Sequence, residues 1–582
     1  MEKYYINGRS EQLVLSLLKA HGIRKVIASP GATNITLVAS MQQDPYFEMY
    51  SSVDERSAAY MACGLAAESG EPIVLSCTGA TASRNYMPGL TEAFYRKLPV
   101  IAITSLQGNF KLGHLIPQNI DRTTIPNDIV KVSVDVPTVK DDNDEWSNTV
   151  KINKALLEVC RNGGGPVHIN LETTYSGDYS IKQLPVAKVI NRIMPDDVFP
   201  ELVDKKVAVF IGSHGKWTVD QEKAVDDFCA SHDAVAFCDH TSGYKGKYRI
   251  LFSLVATQAN YRSSLLNVDV LIHIGEVSGD YPLQGIKSKE VWRVSEDGEI
   301  RDTFRKLRYV FEMPESLFFK HYSTDKENHT EYLDKAKEEY AGALSKLPDM
   351  PFSNIWMASK MSGKLPEKSV LHLGILNTLR SWNLFEIPKS VLSYCNVGAF
   401  GIDGGLSSLV GASLANKDKL YFGIVGDLAF FYDMNALGNH HIGKNLRVML
   451  INNGRGTEFR NYGHPGAAFG DAADKYIAAA GHFGNKSKDL VKHYAEDLEF
   501  MYMTASNKEE FESKYETFLA AESNDKSILF EVFTDSKDES DALKIIRNYM
   551  VDSKTVVKNE MKTFIKKIVP DNVIDSIKKV VK

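Results

Sequence analysis

Apolar positions along the chain fall into two kinds of segment, short β-branched runs and, between them, longer stretches with apolar residues at helical spacing. KVIASP (25–30), FEMYSSV (47–53), PIVLSCTG (72–79) and LPVIAITS (98–105) are the first such runs, with the Ala-rich ERSAAYMACGLAAESG between two of them. A strand buried on both faces needs a near-continuous apolar run, and strands alternating with helices are the mark of a parallel α/β sheet. A second set (VAVFIG, AVAFCDH, VDVLIHIG, EVWRVS, YVFEM) and a third (VLHLG, YFGIVG, LRVMLIN, ILFEVF) repeat the pattern, the third set off by the charged helical stretch 325–346 and the Pro-punctuated LPDMPF. The expected architecture is therefore three consecutive α/β domains with mainly parallel sheets, over residues 1–185, 186–345 and 346–545.

Residues 546–582 change character and predict a basic amphipathic helical tail. From 553 onward eight Lys stand against three acids, and Val557, Met561, Phe564, Ile565 and Ile568 recur at helical spacing until Pro570 breaks the run. Packing on its own protein or on a partner subunit is the favoured reading, and contact with an anionic membrane surface the other.

Composition narrows the classes of function. A chain of 582 residues exceeds what one core can serve, which fits several domains. A net charge of -6 gives no reason to expect nucleic-acid binding. Six cysteines without a Cys-x-x-Cys pair indicate neither a zinc site nor a disulfide framework. The amino terminus, MEKYYINGRSEQL, lacks the apolar run of a signal peptide, and no stretch of about 18 apolar residues is present, so a cytoplasmic location is expected. No strand is followed by G-x-G-x-x-G with an acid about 20 positions on, which argues against a nicotinamide dehydrogenase.

Two strand ends carry the chemistry. YFGIV ends at Gly426-Asp427, LRVMLIN ends at Asn452-Asn453, and the helix-compatible DMNALGNHHIG joins them as one βαβ unit. A right-handed crossover brings the carboxyl ends of both strands to one edge, so Asp427 and Asn453 are expected to converge. Magnesium takes about six oxygen ligands and commonly keeps phosphate oxygens and water among them. A carboxylate from Asp427, an amide oxygen from Asn453 and the carbonyl of Arg455 in the NNGRG turn suit a Mg2+ ion that carries a diphosphate.

The Gly-Asp, the Asn-Asn pair ending 26 residues after that Asp, and the Gly-containing turn together resemble the diphosphate motif of the thiamine-diphosphate-dependent 2-oxo acid decarboxylases and carboligases. SPGATN (29–34), DER (54–56) and TGATASRNYMPGLTEAF (78–94) resemble that family's pyrimidine-binding domain in order and spacing, so that the likeness covers about residues 1–545. It implies thiamine diphosphate and Mg2+ as cofactors, with Gly426, Asp427, Leu428, Ala429, Asn453 and Arg455 at the diphosphate. Leu428 stands where most members have Gly. It also implies that Glu55 hydrogen-bonds the cofactor's pyrimidine and favours the tautomer that acts as internal base. Gly401 and Ile402, in GAFGIDGG, match the loop whose bulky apolar residue props the cofactor in a bent form. A homodimer or homotetramer with active sites at the subunit interface follows from the same resemblance.

Within the family, SPG, DERSAAY, GIDG and GDLAFFYDMNAL most resemble the menaquinone-pathway synthase that joins 2-oxoglutarate, after decarboxylation, to isochorismate. Three of its basic contacts are replaced. Ala32-Thr33 stands for Ser-Arg, Leu106-Gln107-Gly108 for Asp-Arg-Pro, and Val397 for Arg, while Gln118 and Arg380 are kept. Each lost arginine removes a charge-assisted, bidentate pair with a carboxylate. The expectation is a relative with altered substrates, which decarboxylates a 2-oxo acid and transfers the remaining fragment to an acceptor other than isochorismate. His114 and Gln118 are candidates for proton transfer and positioning, and Ala32, Thr33, Arg380, Val397 and Phe459 make up the candidate substrate set. The alternatives are a simple 2-oxo acid decarboxylase and, from another class, a non-catalytic cofactor-binding or scaffold protein.

Overall fold

A computed structural model of the chain describes residues 4–324, 329–481, 486–522 and 525–551. They pack as two compact units, one of residues up to 199 together with 296–312, the other of 200–295 together with 313 onward. The basic tail from 553 lies outside the described residues. No helix among the described residues is long and apolar enough to cross a membrane.

The first unit is built on β1 (Lys25–Ala28), β2 (Glu48–Ser51), β3 (Ile73–Thr78), β4 (Val100–Leu106), β5 (Val132–Val136) and β6 (Val167–Glu172), ordered β2-β1-β3-β4-β6-β5 with every pair parallel. The central strand β4 is buried along its whole length, whereas the edge strand β2 (EMYS) is largely exposed, so the continuous apolar runs mark the middle of the sheet. A short β7 (Asn191–Ile193) belongs to the same unit. In the second unit β8 (Val207–Ile211), β9 (Val235–Cys238), β10 (Arg249–Ile250), β11 (Asn267–Ile274) and β12 (Lys287–Ser295) form parallel pairs in the order β10-β9-β8-β11-β12. β13 (Leu307–Glu312) falls in the first unit and pairs with β7.

The second unit also holds β14 (Val370–Leu373), β15 (Leu392–Cys395), β16 (Tyr421–Gly426), β17 (Leu446–Asn452), β18 (Met501–Ala505) and β19 (Ile528–Phe533), all parallel and ordered β15-β14-β16-β17-β19-β18. The three-domain α/β reading of the sequence is thus met by three sets of parallel strands. A helix at Ser536–Asn548 follows β19 and closes the described part of this unit.

The helix Glu55–Ser69 shows why local sequence fixes its ends. Asp54 caps it by accepting from the Arg56 and Ser57 amides, and Gly70 ends it at φ 69°, a left-handed conformation that glycine adopts without steric cost. Its neighbour, Met87–Tyr95, approaches it closely at Gly89, whose carbonyl accepts from the Cys63 thiol at 3.2 Å. A Cβ on residue 89 would stand 2.4 Å from the Ala59 Cβ and 2.8 Å from the Ala59 carbonyl carbon. Gly89→Ala is accordingly expected to cost about 1–3 kcal/mol, read as a lower urea midpoint. An unchanged midpoint would mean that the helix pair is free to separate.

Candidate active site

β16 and β17 lie side by side with Gly426 opposite Ile451, so Asp427 and Asn453 leave the same carboxyl edge from adjacent strands. Asp427 begins the helix Asp427–Asp433, and its Oδ1 accepts the Leu428 amide at 2.8 Å. The Asn453 Oδ1 is buried and meets no hydrogen-bond donor among the described residues. A buried amide oxygen left in this way carries a desolvation cost that a cation would relieve. Behind it the Asn452 amide donates to Glu531 Oε1 at 2.7 Å, and its own Oδ1 accepts the Gly454 amide at 3.2 Å.

Glu531 sits in mid-strand, taking the Tyr502 hydroxyl on its other oxygen at 2.8 Å. Burial pushes its carboxyl up, and the Asp427 charge adds to that shift against the two hydrogen bonds. Sequence reading passed over this residue, although a lone acid inside the apolar run ILFEVF was a visible signal.

The turn after Asn453 is shaped by its glycines. Gly454 has φ 74°, and the Gly456 amide donates to the Ala478 carbonyl at 2.6 Å. A Cβ at residue 456 would press within 3.0 Å of Phe459 and 3.2 Å of Leu428, so a glycine here makes room for the Leu at the position where the family has Gly. The Arg455 guanidinium pairs with Asp474 at 2.7 Å, so a ligand role for Arg455 rests on its backbone carbonyl. Ala429 follows Leu428 in the same first helical turn.

The GAFGIDGG loop is tied to this edge. Ser407, at the start of the helix Gly405–Ala415, donates its amide and its hydroxyl to the two oxygens of Asp433, each at 2.6 Å. Ile402, next to Gly401, is half-buried. Phe400 at φ 59° and Leu376 at φ 61° are non-glycine residues in strained backbone, a condition that clusters at functional sites.

Arg380, on the helix Asn377–Trp382, makes a two-pronged ion pair with Glu458, 2.9 Å at each prong. Its charge is therefore matched inside the protein. Val397 is buried, with its Cγ1 beside Gly279. The same helix is anchored by Glu539, which accepts from the Asn377 side chain at 3.3 Å, the Asn354 amide at 3.0 Å and the Thr534 hydroxyl at 3.0 Å. Complete burial pushes the Glu539 carboxyl up to about 7.

A raised carboxyl pKa means that the folded state keeps a proton which the unfolded chain releases, so stability falls as pH rises from about 4.5 to about 7. The urea midpoint is expected to drop between those pH values, with Glu539→Gln removing this residue's share, up to about 1 kcal/mol per pH unit. An equal pH slope in both proteins would exclude Glu539 as a source.

In the first unit the predicted residues lie on segments that follow β1, β2 and β4 in the chain. Glu55 is the first residue of its helix, half-buried, and its Oε2 accepts from the Asn85 side chain at 3.3 Å. Ala32 is exposed, whereas Thr33 is buried and its hydroxyl donates to the Ser105 carbonyl at 2.6 Å and meets Thr78. Thr33 therefore ties the loop after β1 to the carboxyl ends of β3 and β4. His114 and Gln118 are exposed on the segment after β4, with Gln118 at φ 68°. Nearby Leu115 is bare to solvent.

Residues 9–125 match the family model described as "Thiamine pyrophosphate enzyme, N-terminal TPP binding domain". Two curated relatives are named 2-succinyl-5-enolpyruvyl-6-hydroxy-3-cyclohexene-1-carboxylate synthase. The one from Phocaeicola vulgatus is 32% identical over 560 residues, covering 93% of this chain and 98% of its own, and the one from Bacteroides thetaiotaomicron is 30% identical over 557 residues with the same coverage. The glycine turns, the Asp–Asn strand ends and likeness over nearly the whole length agree: the chain belongs to the family of thiamine-diphosphate-dependent enzymes that includes these synthases.

Proposed function

We propose that this enzyme releases carbon dioxide from a 2-oxo acid and transfers the remaining fragment to an acceptor, with thiamine diphosphate held through Mg2+ by Asp427, Asn453 and the Arg455 carbonyl. The buried Asn453 Oδ1, beside Asp427 and lacking a donor among the described residues, is the observation that carries this reading. When bound, the cofactor supplies a nucleophilic thiazolium carbon and a sink for the electrons that decarboxylation releases. Glu55, whose Oε2 accepts from Asn85, would hold the cofactor's pyrimidine, while Ile402 would support the cofactor and Gly426, Leu428 and Ala429 would hold its diphosphate. His114 would move protons and Gln118 would position the substrate.

The engagement of Arg380 by Glu458, together with Thr33, Gln107 and Val397 at places where the related synthases' motif has basic residues, supports an acceptor other than isochorismate. Exposed Val53, Tyr60, Met61 and Tyr95 on and beside the Glu55 helix support a homodimer or homotetramer whose sites are completed across the interface. We take the domain limits as 185, 345 and 545, and the location as cytoplasmic.

Incubating the full chain, thiamine diphosphate and Mg2+ with pyruvate or 2-oxoglutarate, with and without aldehyde acceptors, tests this function by carbon dioxide release and product analysis. Carbon dioxide with a ligated product is the expected result. Free aldehyde with every acceptor would reduce the function to simple decarboxylation, and no carbon dioxide from either acid would remove both donors.

A further inference from the structure

The ion pair of Arg380 and Glu458 joins two segments that flank the carboxyl end of β16. The strands β14, β16 and β17 are neighbours in that order and all parallel, so their carboxyl ends share one edge. Arg380 lies on the helix Asn377–Trp382 that follows β14, and Glu458 on the short turn of helix Thr457–Arg460 that follows β17. Between them β16 ends where Asp427 begins its own helix. Glu458 stands five residues after Asn453. Its neighbour Phe459 and Leu428 come together at Gly456, where a Cβ would stand 3.0 Å from one and 3.2 Å from the other. The two side chains of the pair are 15% and 21% exposed, so solvent still reaches them.

Glu458 is fixed by more than Arg380. Its Oε1 accepts from Arg380 Nη2 at 2.9 Å, and its Oε2 accepts from Arg380 Nη1 at 2.9 Å and from the Asn461 side chain at 3.1 Å. Burial lowers the pKa of the nearby Arg547 guanidinium, the Arg380 charge adds to that, and Glu458 opposes it. Glu458 is thus a counter-charge to two arginines. A forked guanidinium is the side chain best matched to a carboxylate, and here the fold supplies that carboxylate itself. A group tethered in place competes as though present at about millimolar concentration or above, so a second carboxylate on a substrate would have to displace one already held by three hydrogen bonds. The same pairing spares the carboxylate that leaves as carbon dioxide a strong ground-state ion pair, which would deepen the bound state more than the transition state. Resting on the reading of this edge as the reaction site, we propose that Glu458 is a specificity-determining residue: it fills the fork of Arg380 and restricts the donor to 2-oxo acids with an uncharged side chain.

The test compares 2-oxopentanoate with 2-oxoglutarate, which share a five-carbon chain and differ in the distal carboxylate. The full chain with thiamine diphosphate and Mg2+ is given each acid, and kcat/KM for carbon dioxide release is measured. The wild type is expected to favour 2-oxopentanoate by about tenfold or more, and Glu458→Ala to move the ratio toward 2-oxoglutarate by about tenfold to a hundredfold. Glu458→Gln, which keeps an oxygen for Arg380 but not the charge, should move it by less. Adding Arg380→Gln to the Glu458→Ala protein should return most of the shift, which a general loosening of the turn would not do. A wild type that favours 2-oxoglutarate, or a ratio unmoved by Glu458→Ala, would overturn the proposal. A Glu458→Ala protein inactive on both acids would make the pair a brace and overturn it as well. Carbon dioxide release with an unmoved ratio rejects Glu458 alone, whereas a wild type that releases none from either acid rejects the donor reading beneath it.

Discussion

Glu55→Gln is expected to slow deuterium exchange at the thiazolium carbon of bound cofactor by about 10²–10⁴, the range for loss of a positioned acid–base group. The carboxyl can hold a proton toward a ring nitrogen in one state and accept in the other, whereas an amide cannot change between them. The substitution is nearly isosteric, and Asp54, not Glu55, caps the helix by accepting from residues 56 and 57. The helix should therefore persist, with an unchanged urea midpoint and with cofactor affinity lowered far less than the exchange rate. Equal exchange in both proteins would remove Glu55 from the chemistry. A parallel collapse of affinity and exchange would reassign it to binding alone.

The contrast between Glu55 and Arg380 shows what a sequence makes legible. DER at the start of an Ala-rich helix, and the strand ends GD and NN, are local patterns, and parallel connectivity alone carries Asp427 and Asn453 to a common edge. The observed register of β16 and β17 is the one that this connectivity demands. Arg380 was visible as a retained residue, but its partner Glu458 lies 78 positions away, and no local pattern announces that its charge is already matched. Asp280 in EVSGDYP reads as an ordinary turn acid. Its burial depends on the close packing of that loop beside the helix of Arg380, where a Cβ at Gly279 would stand 2.4 Å from Leu379.

Thr33 shows the converse. Its placement beside SPG suggested a substrate contact, while the fold uses its hydroxyl to tie the loop after β1 to the ends of β3 and β4. The strained conformations of Leu376 and Phe400 have no signature in composition, since glycine is the residue that would have advertised a positive φ. What sequence could not supply is thus concentrated around the residues proposed to choose a substrate, where long-range packing decides which charges are available.

Asp427→Ala should be the most damaging change to cofactor binding. Asn453 and the Arg455 carbonyl offer neutral oxygens, so Asp427 brings the one formal negative charge that this set contributes to a cation. Replacing residues that only support metal ligands costs about 10–100-fold in affinity, and a ligand that carries the charge should lie at or beyond the upper end, about a hundredfold or more. The effect should require the metal: wild-type affinity for thiamine diphosphate should fall to a similar level when Mg2+ is withdrawn with EDTA, and the variant should lose little more on the same treatment. Asp427→Asn, which keeps an oxygen but not the charge, should fall between the two. Calorimetric titration of thiamine diphosphate into the three proteins, with and without Mg2+, measures all of these terms. If Asp427→Ala binds the cofactor as tightly as the wild type in Mg2+, the strand-end anchor is not the diphosphate site. If its affinity falls but remains as dependent on Mg2+ as the wild type's, Asp427 shapes the turn without touching the ion, and the Asn452–Glu531 pair behind it becomes the next element to vary.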